Sequence, residues 1–264
     1  MSIMNVTKNV KNQFSDDKNL AFRINFYKKY TTNKYKFADW LFDKYNFKEN
    51  MSILELGCGN GSHWQGRLEQ LPKGCKLILS DFSEGMLDLV KEKYSSYENV
   101  SIQKIDIQSI PFENESFDIV IANHMLFHVP DLNKALLEVN RVLKKDGYFY
   151  AATDGNGGMR PFLHEAIKQF DPTNEAFTEK LPFNLQNGKE ILEKYFDSVE
   201  KHEYENTLAI TKTEDLIEWL KSTKSISGFS EENLANLYKY FEDIRLKNGA
   251  INIPRETGVF ISVK

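Results

Sequence analysis

The sequence has few cysteines, no long apolar run and no excess of positive charge. Two cysteines, Cys58 and Cys75, occur among 264 residues, too few for a disulfide framework or a cysteine zinc site, which favours a reducing compartment. No stretch approaches the roughly 20 apolar residues of a membrane span, and the polar first residues lack the apolar centre of a signal peptide. We therefore expect a soluble, unprocessed cytoplasmic protein with no membrane partner.

The charge balance bears on possible partners. A formal net charge of −4 argues against a nucleic-acid partner, because nucleic-acid-binding domains usually carry a basic stripe. The lysine patch, Lys28, Lys29, Lys34 and Lys36, is interpreted as a solvated face with aromatic residues directed inward. A chain of this length with 41% hydrophobic residues can bury one sizeable α/β core with additions, rather than two full domains.

Glycines are concentrated in one informative segment. Residues 53–61 read ILELGCGNG, an apolar run followed by Glu55 and then by glycines at alternate positions, Gly57, Gly59 and Gly61. Such glycines let the backbone turn sharply and let a ligand approach it where a Cβ would be in the way. Cys58 between them is interpreted as a small side chain that the turn tolerates. A cofactor is therefore expected at this loop.

The register of the loop and its acidic neighbour discriminate between cofactors. A dinucleotide fold uses G-x-G-x-x-G/A, whose third small residue is replaced here by Ser62. This argues against a nicotinamide-dependent oxidoreductase. Glu55 would instead favour a cationic ligand, and S-adenosylmethionine carries both a sulfonium and an ammonium group.

Apolar segments alternate with helix-length crossovers. The pattern predicts strands at 52–56, 76–80, 100–105, 117–122 and 148–152, with helices at 62–71, 83–94 and 132–143 between them. This is typical of a doubly wound, mostly parallel α/β sheet. Two amphipathic helices within 20–45 predict a helical cap over residues 1–50, before a cofactor-binding domain at 51–264. Lid helices are expected at about 159–196 and 212–250, and a closing strand at 258–263.

Polar residues follow the predicted strands at the edge where such sheets bind ligands. Asp81 follows the second strand and can accept hydrogen bonds from both hydroxyls of a ribose. Phe82 and Met86 come next, an aromatic ring and a thioether suited to contact an adenine. Asp106 can accept from an exocyclic amine, with the Ile107 backbone amide available for a ring nitrogen. Asn123 follows the fourth strand, near the expected position of a reacting methyl group.

Four segments of the chain resemble one protein family. The segments LELGCGNG (54–61), LSDFSEGML (79–87), IPFENESFDIVIANHMLFHVPD (110–131) and LLEVNRVLKKDGYFYAAT (136–153) are similar to class I S-adenosylmethionine-dependent methyltransferases, especially the methyltransferase type 11 group. The resemblance implies a Rossmann-like seven-stranded sheet with an antiparallel last strand, and S-adenosylhomocysteine as product. It implies these cofactor neighbours: Glu55, Gly57, Gly59, Asp81, Asp106 and Asn123.

Further residues are candidates on the cofactor and acceptor sides. His124 and His128 follow the fourth strand and could accept a proton near neutral pH, or cap the strand end and pack under a lid. Asp154 could orient an acceptor, or serve as a turn residue. His63 could contact the amino-acid end of the cofactor, or lie at the surface. Arg23 could pair with the cofactor carboxylate, or form a surface ion pair.

Together these features predict an S-adenosylmethionine-dependent methyltransferase acting on a small-molecule oxygen, nitrogen or carbon nucleophile. Methyl transfer from a sulfonium is an in-line displacement that needs positioning rather than a protein nucleophile or a metal. Two alternatives stay open. One is a cofactor-binding module without catalysis, or a subunit that activates a partner, and the other is a protein or RNA methyltransferase that uses the lysine patch.

Overall fold

The computed structural model describes residues 18–223, 226 and 229–264. Its helices are α1 Lys18–Tyr30, α2 Phe37–Phe42, α3 Glu84–Tyr94, α4 Leu132–Val142, α5 Met159–Lys168, α6 Gly188–Leu192, α7 Thr213–Lys221 and α8 Glu231–Asn248. Its strands are β1 Ser52–Leu56, β2 Lys76–Asp81, β3 Val100–Lys104, β4 Phe117–Ile121, β5 Leu143–Asp154, β6 Ser198–Glu203, β7 Asn206–Ile210, β8 Ile251–Arg255 and β9 Thr257–Val263. Short 3-10 turns cover Ser62–Trp64, Leu68–Gln70 and Leu126–His128.

Seven strands form the main sheet in the order β3-β2-β1-β4-β5-β9-β6. Strands β1 to β5 pair in parallel, whereas β9 runs antiparallel to both β5 and β6. The chain reverses its winding direction beside β1, so the carboxyl ends of β1 and β4 border the switch point where such sheets bind ligands. The predicted doubly wound, mostly parallel seven-stranded sheet is confirmed.

Burial explains the central strands and capping explains the helices beside them. Ile53, Leu54 and Val120 are fully buried, as expected for parallel strands covered by helices on both faces. The Ser83 side chain accepts a hydrogen bond from a backbone amide in the first turn of α3, and Asp131 does the same for α4. These caps satisfy amides that a helix end would otherwise leave unpaired.

Two sequence predictions of local structure are wrong. The helix expected at 62–71 is two 3-10 turns, because Gly66 adopts a φ of 72° and interrupts the winding. The strand expected at 148–152 begins earlier, since β5 starts at Leu143 directly after α4. Between the regions expected to hold lid helices, β6 and β7 follow each other along the chain but belong to different sheets.

Two hydrophobic clusters pack on the main sheet, and a third lies beyond it. Helices α1, α5, α7 and α8 pack with the two-stranded antiparallel sheet β7-β8, and we call this unit the cap. Strand β8 was not predicted. The N-terminal helices divide between the two units, since Phe26 of α1 lies in the cap and Leu41 of α2 lies in a cluster of the main sheet. Among the described helices, none is both long and apolar enough to span a bilayer.

Candidate cofactor and acceptor site

The glycine loop after β1 depends on left-handed backbone geometry. Gly57, Gly59 and Gly61 have φ angles of 69°, 56° and 71°, a region that favours glycine. A Cβ on Gly57 would lie 2.9 Å from the Met125 side chain, and one on Gly61 would lie 2.6 Å from the Tyr94 ring. The loop therefore packs too tightly for side chains at these positions.

Asp81 connects this loop to α3. Its Oδ2 accepts from the Gly59 amide at 2.9 Å and its Oδ1 accepts from the Ser83 amide at 2.8 Å. Burial raises the pKa of Asp81, and these backbone donors act in the opposite direction. Each carboxylate oxygen has more than one lone pair, so hydrogen bonds from a ligand hydroxyl remain available.

Glu55 lies beneath the loop in a polar cluster. It is 2% exposed and accepts from Trp64 Nε1 at 2.5 Å and, more weakly, from Asn123 Nδ2 at 3.4 Å. Burial raises the pKa of Glu55 to about 7. Asn123 Nδ2 also donates to the Tyr45 hydroxyl at 2.9 Å, while Asn123 Oδ1 is buried without a hydrogen-bond partner among the described residues.

The residues expected near an adenine lie in different environments. Asp106 Oδ1 accepts from the backbone amide and the side-chain amide of Gln108, at 2.9 and 3.1 Å. Ile107 is buried with 5% exposure and belongs to the main core. Met86 is 1% exposed, whereas Phe82 is only partly buried. Of this pair, Phe82 is therefore the more accessible.

His124 lies just beyond β4 in a strained backbone conformation. Its φ is 52°, which is uncommon for a residue with a side chain. Its amide donates to the Ala152 carbonyl at 2.8 Å, and its Nδ1 lies 3.7 Å from Asp154 Oδ2. Burial lowers the pKa of His124. The strand ends thus bring a neutral imidazole and a carboxylate together.

Asp154 also faces a cation that the sequence did not single out. Its Oδ1 lies 4.0 Å from Arg255 Nη2 and has no hydrogen-bond partner within the described ranges. The Arg255 guanidinium lies 4.0 Å above the Tyr27 ring and 5.9 Å from the Phe37 ring. Phe37 in turn lies 5.5 Å from the His124 ring. A polar row, His124, Asp154 and Arg255, therefore borders two aromatic rings.

His63, His128 and Arg23 lie apart from this row. The His63 ring contacts Tyr45 and Trp64 at 5.6 and 5.7 Å, and burial lowers its pKa to about 3. It is therefore a neutral ring packed in the core, with a buried Nε2 unpaired in the described part of the chain. His128 lies in a 3-10 turn against Phe127, at 4.5 Å. Arg23 donates to the Ser222 carbonyl at 3.2 Å, within the cap.

A groove that Arg255 lines and the lysine patch complete the polar features of the described surface. An open groove of about 580 Å³ passes the junction of cap and core, lined by Thr32, Asn33, Glu203, Tyr204, Glu205, Asn206, Thr207, Arg255, Glu256 and Thr257. In the lysine patch, Lys29 is paired with Asp215 at 2.5 Å. Among the described residues no three His, Cys, Asp or Glu side chains form a metal-binding group.

Comparison with known proteins identifies the domain that holds this site. The family model described as "Methyltransferase domain" matches residues 54–151. A demethylmenaquinone methyltransferase from Staphylococcus aureus is 39% identical over 100 residues, 38% of this chain and 42% of that protein. The chain thus matches less than half the length of this relative.

Solved structures show the same fold. The YcgJ protein from Bacillus subtilis has a TM-score of 0.59 and 18% identity, covering 86% of this chain and 97% of that one. A Haemonchus contortus N-methyltransferase, solved with S-adenosylhomocysteine, has a TM-score of 0.52 and 20% identity, covering 86% of this chain and 52% of that one.

Residues 54–151 match a methyltransferase domain. This match supports the resemblance drawn from the loop and strand ends, and it argues against the nicotinamide alternative.

Sequence reasoning missed several residues around the methyltransferase site. Trp64 and Tyr45 complete the Glu55 cluster, and Arg255 and Phe37 complete the acceptor side. Trp64 lies three residues after Gly61, so its place near the site could have been inferred from the sequence. The place of Arg255 could not, because Arg255 approaches Asp154 through the pairing of β9 with β5, which are distant in sequence.

Proposed function

We propose that this protein transfers a methyl group from S-adenosylmethionine to an oxygen, nitrogen or carbon atom of a small molecule. The observation that supports this most directly is the pairing of His124 with Asp154, 3.7 Å apart, at the strand ends beside the glycine loop. When bound, the cofactor supplies an electrophilic methyl group on a sulfonium. The protein then has to hold the acceptor in line with that group and receive its proton.

The residues present fit this cofactor. Asn123 Oδ1 is a buried acceptor unpaired within the described structure, and the Asp81 oxygens, which each accept one backbone amide, keep lone pairs for ligand hydroxyls. We assign Asp81 to the ribose hydroxyls. Glu55 and Asn123 would bind the amino-acid end, with Gly57, Cys58 and Gly59 along it. The adenine would be bound by Phe82, Met86, Asp106 and Ile107.

Two further residues, His63 and Arg23, are proposed as more distant neighbours of the cofactor. His63 would support the amino-acid end through the aromatic cluster that it shares with Tyr45 and Trp64. Arg23 would reach the cofactor carboxylate only if it exchanged its present hydrogen bond to the Ser222 carbonyl. We therefore rank both below Asp81 and Glu55 as cofactor residues.

On the acceptor side, His124 is proposed as the general base. Its lowered pKa keeps the imidazole neutral at physiological pH, so that a ring nitrogen can accept a proton. Asp154 would orient the ring and stabilise the imidazolium that forms. His128, in the adjoining turn, is a second candidate for contact with the acceptor.

The test combines binding with turnover. S-adenosylhomocysteine should bind the purified protein in calorimetry, and labelled S-adenosylmethionine should yield methylated product on some member of a panel of phenols, amines and activated carbon acids. His124→Gln should lower kcat by about 10²-fold or more, the usual contribution of a general base, while leaving S-adenosylhomocysteine affinity intact.

Two results would contradict the proposal in different ways. Failure of S-adenosylhomocysteine to bind would refute the cofactor site. Binding without turnover on small molecules would favour the module without catalysis, whereas labelling of protein or RNA alone would favour a macromolecular substrate.

A further inference from the structure

Three arginines lie in the cap, and one of them, Arg255, approaches Asp154 at the end of β5. Arg255 ends β8, with a side chain that is 12% exposed and a guanidinium 4.0 Å above the Tyr27 ring. Arg23 lies one helical turn before Tyr27 on α1. Arg160 begins α5, and its guanidinium lies 5.7 Å from the Phe177 ring. Guanidinium groups remain charged even where burial lowers their pKa, as it does for Arg23 and Arg160.

Aromatic contacts join these three positions into one wall. The Tyr27 ring lies 6.3 Å from the Trp219 ring, which lies 6.5 Å from Phe177. The Tyr27 hydroxyl is also 3.9 Å from the sulfur of Met159, the neighbour of Arg160. The arginines are therefore arranged around a shared apolar surface rather than scattered over the cap.

The charge on this wall is poorly compensated. Within residues 18–223, 226 and 229–264, the only ion pair of Arg255 is the 4.0 Å approach to Asp154, beyond hydrogen-bond distance. Arg23 donates to a neutral carbonyl, and Arg160 Nε is buried without a hydrogen-bond partner in the same ranges, although Glu179 acts on Arg160 electrostatically. By contrast, Arg141 pairs with Glu138 at 2.7 Å.

We propose that the methyl acceptor is an anionic small molecule whose carboxylate or phosphate group binds Arg255. A largely buried guanidinium without a close acceptor is costly, and an oxyanion satisfies it with two parallel hydrogen bonds. Tyr27 and Phe37 then flank the apolar body of the acceptor, and its nucleophilic atom faces His124 and Asp154. This inference rests on the proposed methyl transfer and adds the chemical class of the substrate.

The test compares anions with neutral isosteres in the presence of S-adenosylhomocysteine. Calorimetry would use a series of aromatic and aliphatic hydroxycarboxylates, each with its amide, and a series of aryl phosphates, each with its parent phenol. In the wild type we expect the best anion to bind at least about tenfold more tightly than its neutral partner, as for a charge-assisted hydrogen bond. The two series distinguish carboxylate from phosphate as the recognised group.

Arg255→Gln should abolish that preference, and Arg255→Lys should retain part of it, because lysine keeps the charge but not the paired donors. Arg245→Gln is the matched control, since Arg245 pairs with Glu242 on the outer part of α8. S-adenosylhomocysteine affinity reports whether each variant is folded.

The outcomes separate this inference from the proposed function. If S-adenosylhomocysteine binds but no anion of either series binds more tightly than its neutral partner, the acceptor class is wrong and the methyltransferase assignment stands. The same holds if Arg255→Gln retains the full preference for anions. If S-adenosylhomocysteine does not bind, both proposals fail together. The comparison of anions with their neutral partners uses the wild-type protein alone. It therefore tests the inference even if a variant does not fold.

Discussion

At the scale of single residues, the site is built from carboxylates in contrasting surroundings. Asp81 is partly buried but receives two backbone amides, whereas Glu55 is more deeply buried and receives one indole and a distant amide. The first arrangement favours a charged acceptor for hydroxyl groups, and the second raises the pKa of Glu55 to about 7. Two acids near one loop therefore have separate roles.

Asp81→Ala should weaken S-adenosylhomocysteine binding by about 1.5 to 3 kcal/mol, the loss expected for hydrogen bonds to a charged group. Calorimetry measures the change. Asp88→Ala is the control, because Asp88 lies on the exposed part of α3 in an ion pair with Lys91. Unchanged affinity in a folded Asp81 variant would refute the ribose assignment.

Glu55 should make the stability of the unliganded protein depend on pH. The folded pKa of Glu55 is about 7, above its ordinary value of 4.5. The protonated side chain therefore contributes its full stabilisation below about pH 4.5. That stabilisation is lost as the pH rises from 4.5 through 7, and it changes no further at higher pH. Glu55→Gln, which cannot ionise, should therefore gain stability relative to the wild type at pH 8 but not at pH 4.5.

Urea unfolding at the two pH values measures this difference, with tryptophan fluorescence as the probe. Glu69→Gln is a suitable control, since Glu69 lies on the surface and bonds Tyr97. An equal effect of Glu55→Gln at both pH values would show that folding does not raise the pKa of Glu55.

At the scale of elements, the glycine loop offers a comparison within one chain. Gly57 and Gly66 have similar φ angles of 69° and 72°, but a Cβ would meet Met125 at 2.9 Å in the first case and nothing within 4 Å in the second. Gly66→Ala should cost only the left-handed backbone strain of roughly 1 to 2 kcal/mol. Gly57→Ala should cost more and also weaken cofactor binding. Equal losses in unfolding free energy would mean that the Met125 contact relaxes freely.

The elements differ in how well the sequence predicts them. Strands β1 to β5 were predictable because each is a local apolar run bounded by polar or glycine residues, and Ser83 and Asp131 are local caps. The helix at 62–71 was missed because the apolar spacing conceals the backbone geometry of Gly66. Strand β8 contains Pro254 and, among the described strands, pairs with β7 alone, so its strand character comes from a partner distant in sequence. The Arg255 contact with Asp154 has the same nonlocal origin.

At the scale of the whole molecule, the hydrophobic clusters of the main sheet are separate from the cluster of the cap. The glycine loop and Asp81 belong to the main sheet, whereas Tyr27 and Arg255 belong to the elements of the cap. Backbone segments beside Asp154, Tyr204 and Arg255 join the two units, and Glu256 stabilises one of these segments by accepting from the Gly157 amide and from Gln186, both at 2.9 Å. We therefore expect that cofactor binding and acceptor recognition can be altered separately.

Phe26→Ala should test that separation. Phe26 is 3% exposed and packs in the cap against Tyr30 and Trp219, so its removal should cost about 3 to 5 kcal/mol of packing. If the cap opens as its own unit, hydrogen exchange should accelerate in β7, β8, α7 and α8 but not in β1 or β4. S-adenosylhomocysteine affinity should then be retained while turnover falls. If hydrogen exchange accelerates equally in the cap and in the main sheet, the two form one cooperative unit. A change in the cap would then also destabilise the cofactor loop.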